Sequence, residues 1–479
     1  MRLSKRFKLG VTQFELDFVD IDPNRDHRLF LDAYFLANRP DQWSVQASKT
    51  IRSFFNQFVA LIRKKKDVEA RALFEHLHEP NETCLGLSKG NPQGRGVGNE
   101  FADRLFASLK DSKAVQTGLV EDLEDARIFV PGINKDLASD MATNIIRAHL
   151  LKYTKSQCDL WNIPLTANVP SGFVWDRPSL SWQNTFADRL VVGGKPLLLV
   201  PKGIVSYVKA YAPDKYHRFY VLPFLQHEHL RMNTALVRVR RKGKVKYVTK
   251  KSVIDYEAPP DKEYLASFTE KHPEVFKDFR AKTVSQLASL SNTDLSKESL
   301  NEVIDYLIDK IGKIAVGNAS ASVFHRTMVG VLELLFYPDL IAPQIEREIH
   351  DGRKRIDITF DNAAQNGFFF LLHQKHGIPC PYIFVECKNY GAEVANPELD
   401  QLAGRFSPNS GKFGLLVCRK MDDLGLFIKR CADTYKDDRG AIVPLMDSDI
   451  IQALVDLRKG VARPLDSVLT DRMRDVVLA

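Results

Sequence analysis

Three short apolar runs near the C-terminus constrain the fold most: "PYIFVECK" (381–388), "FGLLVCR" (413–419) and "AIVPL" (441–445). Each reads as a strand built for a core. The stretches between them are helical, "NPELDQLAGRF" with Pro397 at its start, where proline is tolerated, and "DDLGLFIKRCADTY". "SDIIQALVDLR" closes the series as a helix. Upstream, "ASVFHRTMVGVLELLFYPDL" reads as a helix that stops near Pro338. "APQIEREIHDGRKRIDITF" reads as two strands joined at Asp351-Gly352, a strong hairpin dipeptide. From about residue 318 onward the order is helix, three strands, helix, strand, helix, strand, helix, with "GFFFLLHQKHG" (367–377) as an apolar insert, helical or partly extended. That order implies a mixed α/β sheet.

The rest of the chain is less regular. Residues 42–79 are expected to be helical, and "DLASDMATNIIRAHLLKYTKSQCDLW" to form a helix or helix pair. Residues 190–255 are expected to be strand-rich, with a hairpin turning near Lys242-Gly243. A break at "EAPPDKEY" and a polar helical stretch after it place a boundary within 260–310. The expected division is a mixed α+β region over 1–300, with room for two subdomains, and a second domain over 301–479. At 44% hydrophobic and 27% charged residues the composition is that of a soluble globular protein. No apolar run is long enough to span a bilayer, and the basic N-terminus lacks an apolar stretch behind it. The six cysteines (84, 158, 380, 387, 418, 431) show no zinc spacing. A reducing, cytoplasmic setting and no membrane partner are the expectation.

The chemistry-bearing residues cluster at the end of "IFVECK". Side chains alternate along a strand, so Phe384, Glu386 and Lys388 share one face and Ile383, Val385 and Cys387 the other. In "RKRIDITF", Asp357 points opposite to Ile356 and Ile358. If the two strands pair, Asp357 and Glu386 converge beside Lys388. Two carboxylates suit Mg²⁺, which takes hard oxygen ligands, and the backbone carbonyl of Cys387 offers a third. Such an ion polarises a phosphodiester and acidifies bound water. A lysine beside it orients or deprotonates the attacking water and offsets developing charge.

Asp357 and the "ECK" of 386–388 resemble the PD-(D/E)xK nuclease superfamily, of restriction-endonuclease-like fold. Glu333, in the helix "VLELLF", matches the helical acidic residue of many members. Gln401, in "ELDQLAGRF", matches a glutamine frequent in the Mrr and Holliday-junction-resolvase-like branch. The resemblance covers roughly residues 318–455. Ile356 replaces the proline of the nominal motif, and the separation of Asp357 and Glu386 (386 − 357 = 29) requires an insertion between the strands. The resemblance implies a C-terminal core with a mixed central sheet flanked by helices. It implies a Mg²⁺-dependent endonuclease, with Mn²⁺ as a substitute, in which Asp357, Glu386 and Cys387 hold the metal. Lys388, Glu333 and Gln401 would complete the catalytic set. DNA would be the substrate and a homodimer or higher homo-oligomer the working form, with a role in bacterial defence against phage or foreign DNA. RNA cleavage, or a nuclease-like fold that binds or senses nucleic acid without cutting, are the alternatives. The N-terminal region would then recognise DNA or an activating partner protein.

A net charge of +8 is compatible with a polyanionic partner. "VRVRRKGKVKYVTKK" (237–251) holds eight Lys/Arg and no acid, making Arg238, Arg240, Arg241, Lys242, Lys244 and Lys246 candidate phosphate contacts. A charged edge hairpin that resists aggregation is the alternative reading. "GNPQGRGVGNEF" precedes a helix but lacks the lysine of a P-loop. His227 and His229 in "QHEHLRMN" would share a face if extended, but no third zinc ligand is evident.

Overall fold

The alternation of apolar and polar residues in the C-terminal third becomes a sheet with two differently covered faces. The computed structural model describes the chain apart from residues 87–96, 121, 208–210, 241–244, 285–287, 350–353 and 392–395, and apart from the side chains of 97–101, 346–349 and 354–356. Among the described residues the protein is mixed α/β, with one five-stranded mixed sheet and three smaller ones.

Helices dominate the N-terminal region. The expected helical stretch at 42–79 contains α1 (Gln42–Arg63), started by Asp41, whose side chain accepts from the Ser44 N–H. The helix pair is α2 (Lys135–Ile145) and α3 (Arg147–Trp161). A long antiparallel ribbon follows, β1 (Thr166–Asp176) with β2 (Ser181–Val192). The expectation of strands over 190–255 holds only in part. Residues 222–232 form α4 (Leu222–Met232), so His227 and His229 lie on a helix and not on one face of a strand. His229 is buried between Glu257, 2.6 Å from Nε2, and Thr234, 2.8 Å from Nδ1. The apolar face of Leu222 and Leu225 has a core to join, which decides for the helix.

The C-terminal part starts with α5 (Leu300–Lys313) and α6 (Ala321–Phe336). Next come β3 (Leu340–Ile349) and β4 (Lys354–Asn362), paired antiparallel; their connecting Asp351-Gly352 lies outside the described residues. The apolar insert is α7 (Gly367–His376). Then follow β5 (Tyr382–Lys388), α8 (Asn396–Ala403), β6 (Phe413–Cys418), α9 (Leu424–Lys436), β7 (Ala441–Met446), α10 (Asp447–Arg458) and α11 (Asp466–Leu478). The sheet order is β7-β6-β5-β4-β3. β3, β4 and β5 form an antiparallel meander, and β5, β6 and β7 run parallel. Helices α8 and α9 supply the crossovers that parallel strands need.

Strand alternation sorts the core. Phe384, Leu416, Cys418 and Ile442 pack with Leu399 and Leu402 of α8 and with Phe427, Ile428 and Cys431 of α9. Ile383, Val385, Cys387, Leu415, Val417 and Val443 join a second cluster that runs from Leu3 to Met473 and includes most of the N-terminal core. The N-terminal region therefore packs on the sheet face opposite α8 and α9. Polar ties fix the join: Gln157 Nε2 donates to the Pro343 carbonyl at 3.1 Å, and the Trp43 N–H to Asp361 at 3.1 Å. No described helix is long and apolar enough to cross a membrane.

Candidate functional site

The register of β4 on β5 brings the two carboxylates together. Val385 lies opposite Ile358, so the next residues along are Glu386 and Asp357. The ladder stops there. Instead of meeting a β4 carbonyl, the Cys387 N–H donates to Asp357 Oδ2 at 2.9 Å. The Cys387 carbonyl turns to α6, where it accepts from His325 Nε2 at 2.9 Å. His325 Nε2 is also 3.9 Å from Asp357 Oδ2. The strands thus part at the point where the candidate residues gather. The insert α7 joins the opposite ends of β4 and β5, so its length does not disturb this pairing.

Glu386 is fully buried and Lys388 nearly so, on the face covered by α8. Lys388 Nζ stands 2.9 Å from Glu386 Oε1 and donates to Gln401 Oε1 at 3.1 Å. Arg405, buried just past the end of α8, donates to Glu386 Oε2. Burial and the nearby Asp357 charge push the Glu386 carboxyl up, while Lys388 and Arg405 pull it back. Burial alone would lower Lys388, but the Glu386 carboxylate outweighs it and holds the ammonium above its ordinary range. Lys388 is therefore a firm cation here. Burial, with Asp357 and Glu386 beside it, pushes the Cys387 thiol well up, which leaves it unreactive.

The structure brings Asp357, Glu386, Cys387, Lys388 and Gln401 into one cluster. Asp400, next to Gln401, points away and pairs with Arg439 at 2.8 Å on the surface. Glu333, the helical acidic residue of the resemblance, is not brought into that cluster. Its side chain is fully buried and pairs with the equally buried Lys202 at 3.1 Å. Lys202 also donates to Asn292 at 2.8 Å. Burial pushes the Glu333 carboxyl up and Lys202 draws it back, with Asp17 as the other charge acting on it. The helical side chain that reaches the Asp357 end is His325, two turns earlier on α6.

Sequence reasoning missed three participants. His325 lies 62 residues from the strand it touches, and only tertiary packing joins them. Asn389 is buried at the end of β5, where Nδ2 donates to the carbonyls of Ala315 at 3.0 Å and Gly317 at 2.9 Å. Arg405 had a signal: it stands one helical turn past Gln401. Phe406, next to it, stacks on Phe384 with ring centroids 5.9 Å apart. Gly440 keeps that stack in place. A Cβ at Gly440 would fall 2.3 Å from Phe406 Cδ2 and 2.8 Å from the Lys412 carbonyl, at a φ of +103°. Gly440→Ala is expected to destabilise the protein by at least about 2 kcal/mol, read as a lowered urea midpoint. An unchanged midpoint would show that Phe406 is free to move.

The basic hairpin forms in outline, with Arg238–Val239 paired to Lys246–Tyr247. Arg238, Arg240 and Lys246 are exposed. Arg240 lies over the Tyr247 ring at 5.6 Å, and Lys246 Nζ donates to Asn233 at 2.7 Å. Arg241, Lys242 and Lys244 lie outside the described residues, as does most of the glycine-rich segment ahead of residue 97.

A family model described as a domain of unknown function (DUF8370) matches residues 8–212. No curated protein and no solved structure matches the chain. The matched stretch ends ahead of α4 and of the whole five-stranded sheet.

Among the described residues, no group of three His, Cys, Asp or Glu side chains is placed to hold a metal ion. The set available to Mg²⁺ is instead two carboxylates and one main-chain carbonyl, all hard oxygens. Glu386 Oε1 is buried and meets the Lys388 ammonium at 2.9 Å, so both oxygens of this carboxylate already face a cation. On donor chemistry the residues fit the ion.

Proposed function

We propose that the protein is a metal-dependent nuclease that hydrolyses phosphodiester bonds, with DNA as substrate. The observation that carries this reading is the parting of β4 and β5 at Asp357 and Glu386, where the Cys387 N–H meets Asp357 and Lys388 stands alongside Glu386. Asp357, Glu386 and the Cys387 carbonyl would hold Mg²⁺ or Mn²⁺. The ion, when bound, polarises the phosphate and acidifies water.

The side chains have distinct parts in this reading. Lys388, beside Glu386 and held by Gln401, offsets charge on a phosphate and orients the attacking water. Gln401 fixes Lys388 Nζ from α8. His325 donates to the Cys387 carbonyl and sets the direction of that group. The restriction-endonuclease-like topology, action as a homo-oligomer and a role in defence against foreign DNA belong to the same proposal, as does a cytoplasmic location. They rest on the resemblance of Asp357 and "ECK", not on fold alone.

A second reading has its own support. Glu386 already faces two cations, Lys388 and Arg405, which suits a protein that binds nucleic acid without cutting it. Incubation of the full chain with labelled DNA and with labelled RNA, in Mg²⁺, in Mn²⁺ and in EDTA, separates these cases. Metal-dependent cutting of DNA supports the proposal, and cutting of RNA alone changes the substrate. Intact DNA and RNA under every condition favour the non-cutting reading.

The exposed hairpin supplies a separate prediction. Arg238→Ala/Arg240→Ala is expected to weaken DNA binding at every sequence. It should also reduce the slope of log K against log salt by about 1 to 2. An unchanged slope would return the hairpin to the role of a solvated edge.

A further inference from the structure

The charges around Glu386 are balanced before any metal arrives. Asp357 and Glu386 contribute two negative charges, and Lys388 and Arg405 two positive ones. A divalent ion added to that set leaves an excess of positive charge in a largely water-free place. One of the two resident cations must then let go of Glu386. Their surroundings differ. Lys388 has a second anchor in Gln401 and lies 5.7 Å from the Tyr390 ring. The Arg405 side chain has Glu386 as its single polar partner among the described residues, although it is buried. It also follows Gly404, in the turn that ends α8, where the Arg405 N–H donates to the Leu402 carbonyl at 3.0 Å. A side chain at such a point can swing without unwinding a helix.

We infer that Arg405 is a positioning residue that occupies Glu386 in the metal-free protein and is displaced by the divalent ion, so that it sets the metal affinity of the site. The inference rests on the reading of Asp357 and Glu386 as metal ligands. Arg405 holds Glu386 oriented while no ion is present, and weakens ion binding through the same contact. Lys388, anchored by Gln401, stays in place throughout.

The test is Mn²⁺ binding to the full chain, followed by the electron spin resonance of free Mn²⁺. Arg405→Gln is expected to bind Mn²⁺ about tenfold tighter than wild type, since one nearby positive charge is lost. Arg405→Lys keeps the charge and should bind within about twofold of wild type. Arg405→Gln affinity equal to or weaker than wild type, in a protein with wild-type circular dichroism, overturns the inference. If Arg405→Gln does not fold, Arg405→Lys still decides: a large loss of affinity would make the guanidinium a support for the metal and overturn the inference. Glu386→Gln is the control for the underlying reading. Wild-type Mn²⁺ binding that survives in Glu386→Gln places the ion elsewhere and fells the metal-site reading. Binding that is lost in Glu386→Gln but insensitive to Arg405→Gln fells the inference alone. No Mn²⁺ binding by any of the proteins fells both.

Discussion

Lys388→Ala is expected to lower Mg²⁺-dependent cleavage of supercoiled plasmid by at least about a hundredfold while leaving Mn²⁺ binding in place. The reason is geometric. Lys388 extends from the same strand face as Glu386 and is held by Gln401, so it presents a fixed positive charge at the point where β4 and β5 part. Its loss does not strand Glu386, because Arg405 still donates to the other carboxylate oxygen. The fold should therefore survive, and the circular dichroism of the variant should match wild type. Asp357→Ala is expected to behave differently. It removes one of the two carboxylates proposed to hold the ion and frees the Cys387 N–H, so both Mn²⁺ binding and cleavage should be lost. Plasmid cleavage by Lys388→Ala at the wild-type rate would move the chemistry away from residues 386–388.

Glu333→Ala is expected to act on stability and not on cleavage. It leaves the Lys202 ammonium fully buried, with Asn292 and the Tyr337 ring beside it and Asp17 and Glu15 as the other acidic groups acting on it. Breaking one side of a buried ion pair costs about 3–5 kcal/mol. The urea midpoint should fall accordingly. Replacing both partners, as in Lys202→Met/Glu333→Leu, should recover most of the loss, since two apolar chains of similar length need no counter-charge. Cleavage per folded molecule should stay at the wild-type level in both variants. Lost cleavage with an unchanged midpoint would return Glu333 to the site that the superfamily resemblance implied.

Much of the candidate site was legible because strands impose a period of two. Glu386 and Lys388 had to share a face of β5, and an unbroken apolar run around them had to be a buried strand. The pairing with Asp357 followed from β4 being the neighbouring strand, whatever the length of the insert between them. Gln401 was legible from the resemblance alone, since α8 could have presented Asp400 instead. Surface pairing of Asp400 with Arg439 settled which of the two faces the strand. The N-terminal half was harder. "LPFLQHEHLRM" has Pro223 in its first turn and Asn233 in the left-handed conformation just past its end, but it follows strand-like runs, so the core it meets is what favours the helix.

The sequence by itself determined the order of strands and helices from α6 to α10, α7 apart, and which of their side chains share a face. Those properties depend on the backbone period of a few consecutive residues. Only the tertiary structure decided that Glu333 serves Lys202, that His325 directs the Cys387 carbonyl and that Arg405 holds Glu386. The first two are contacts across chain separations that leave no local pattern, and Arg405, one turn past Gln401, carried no local sign of which carboxylate it would meet. In a buried place a carboxylate goes to the cation that packing puts beside it, and packing is a property of the whole fold.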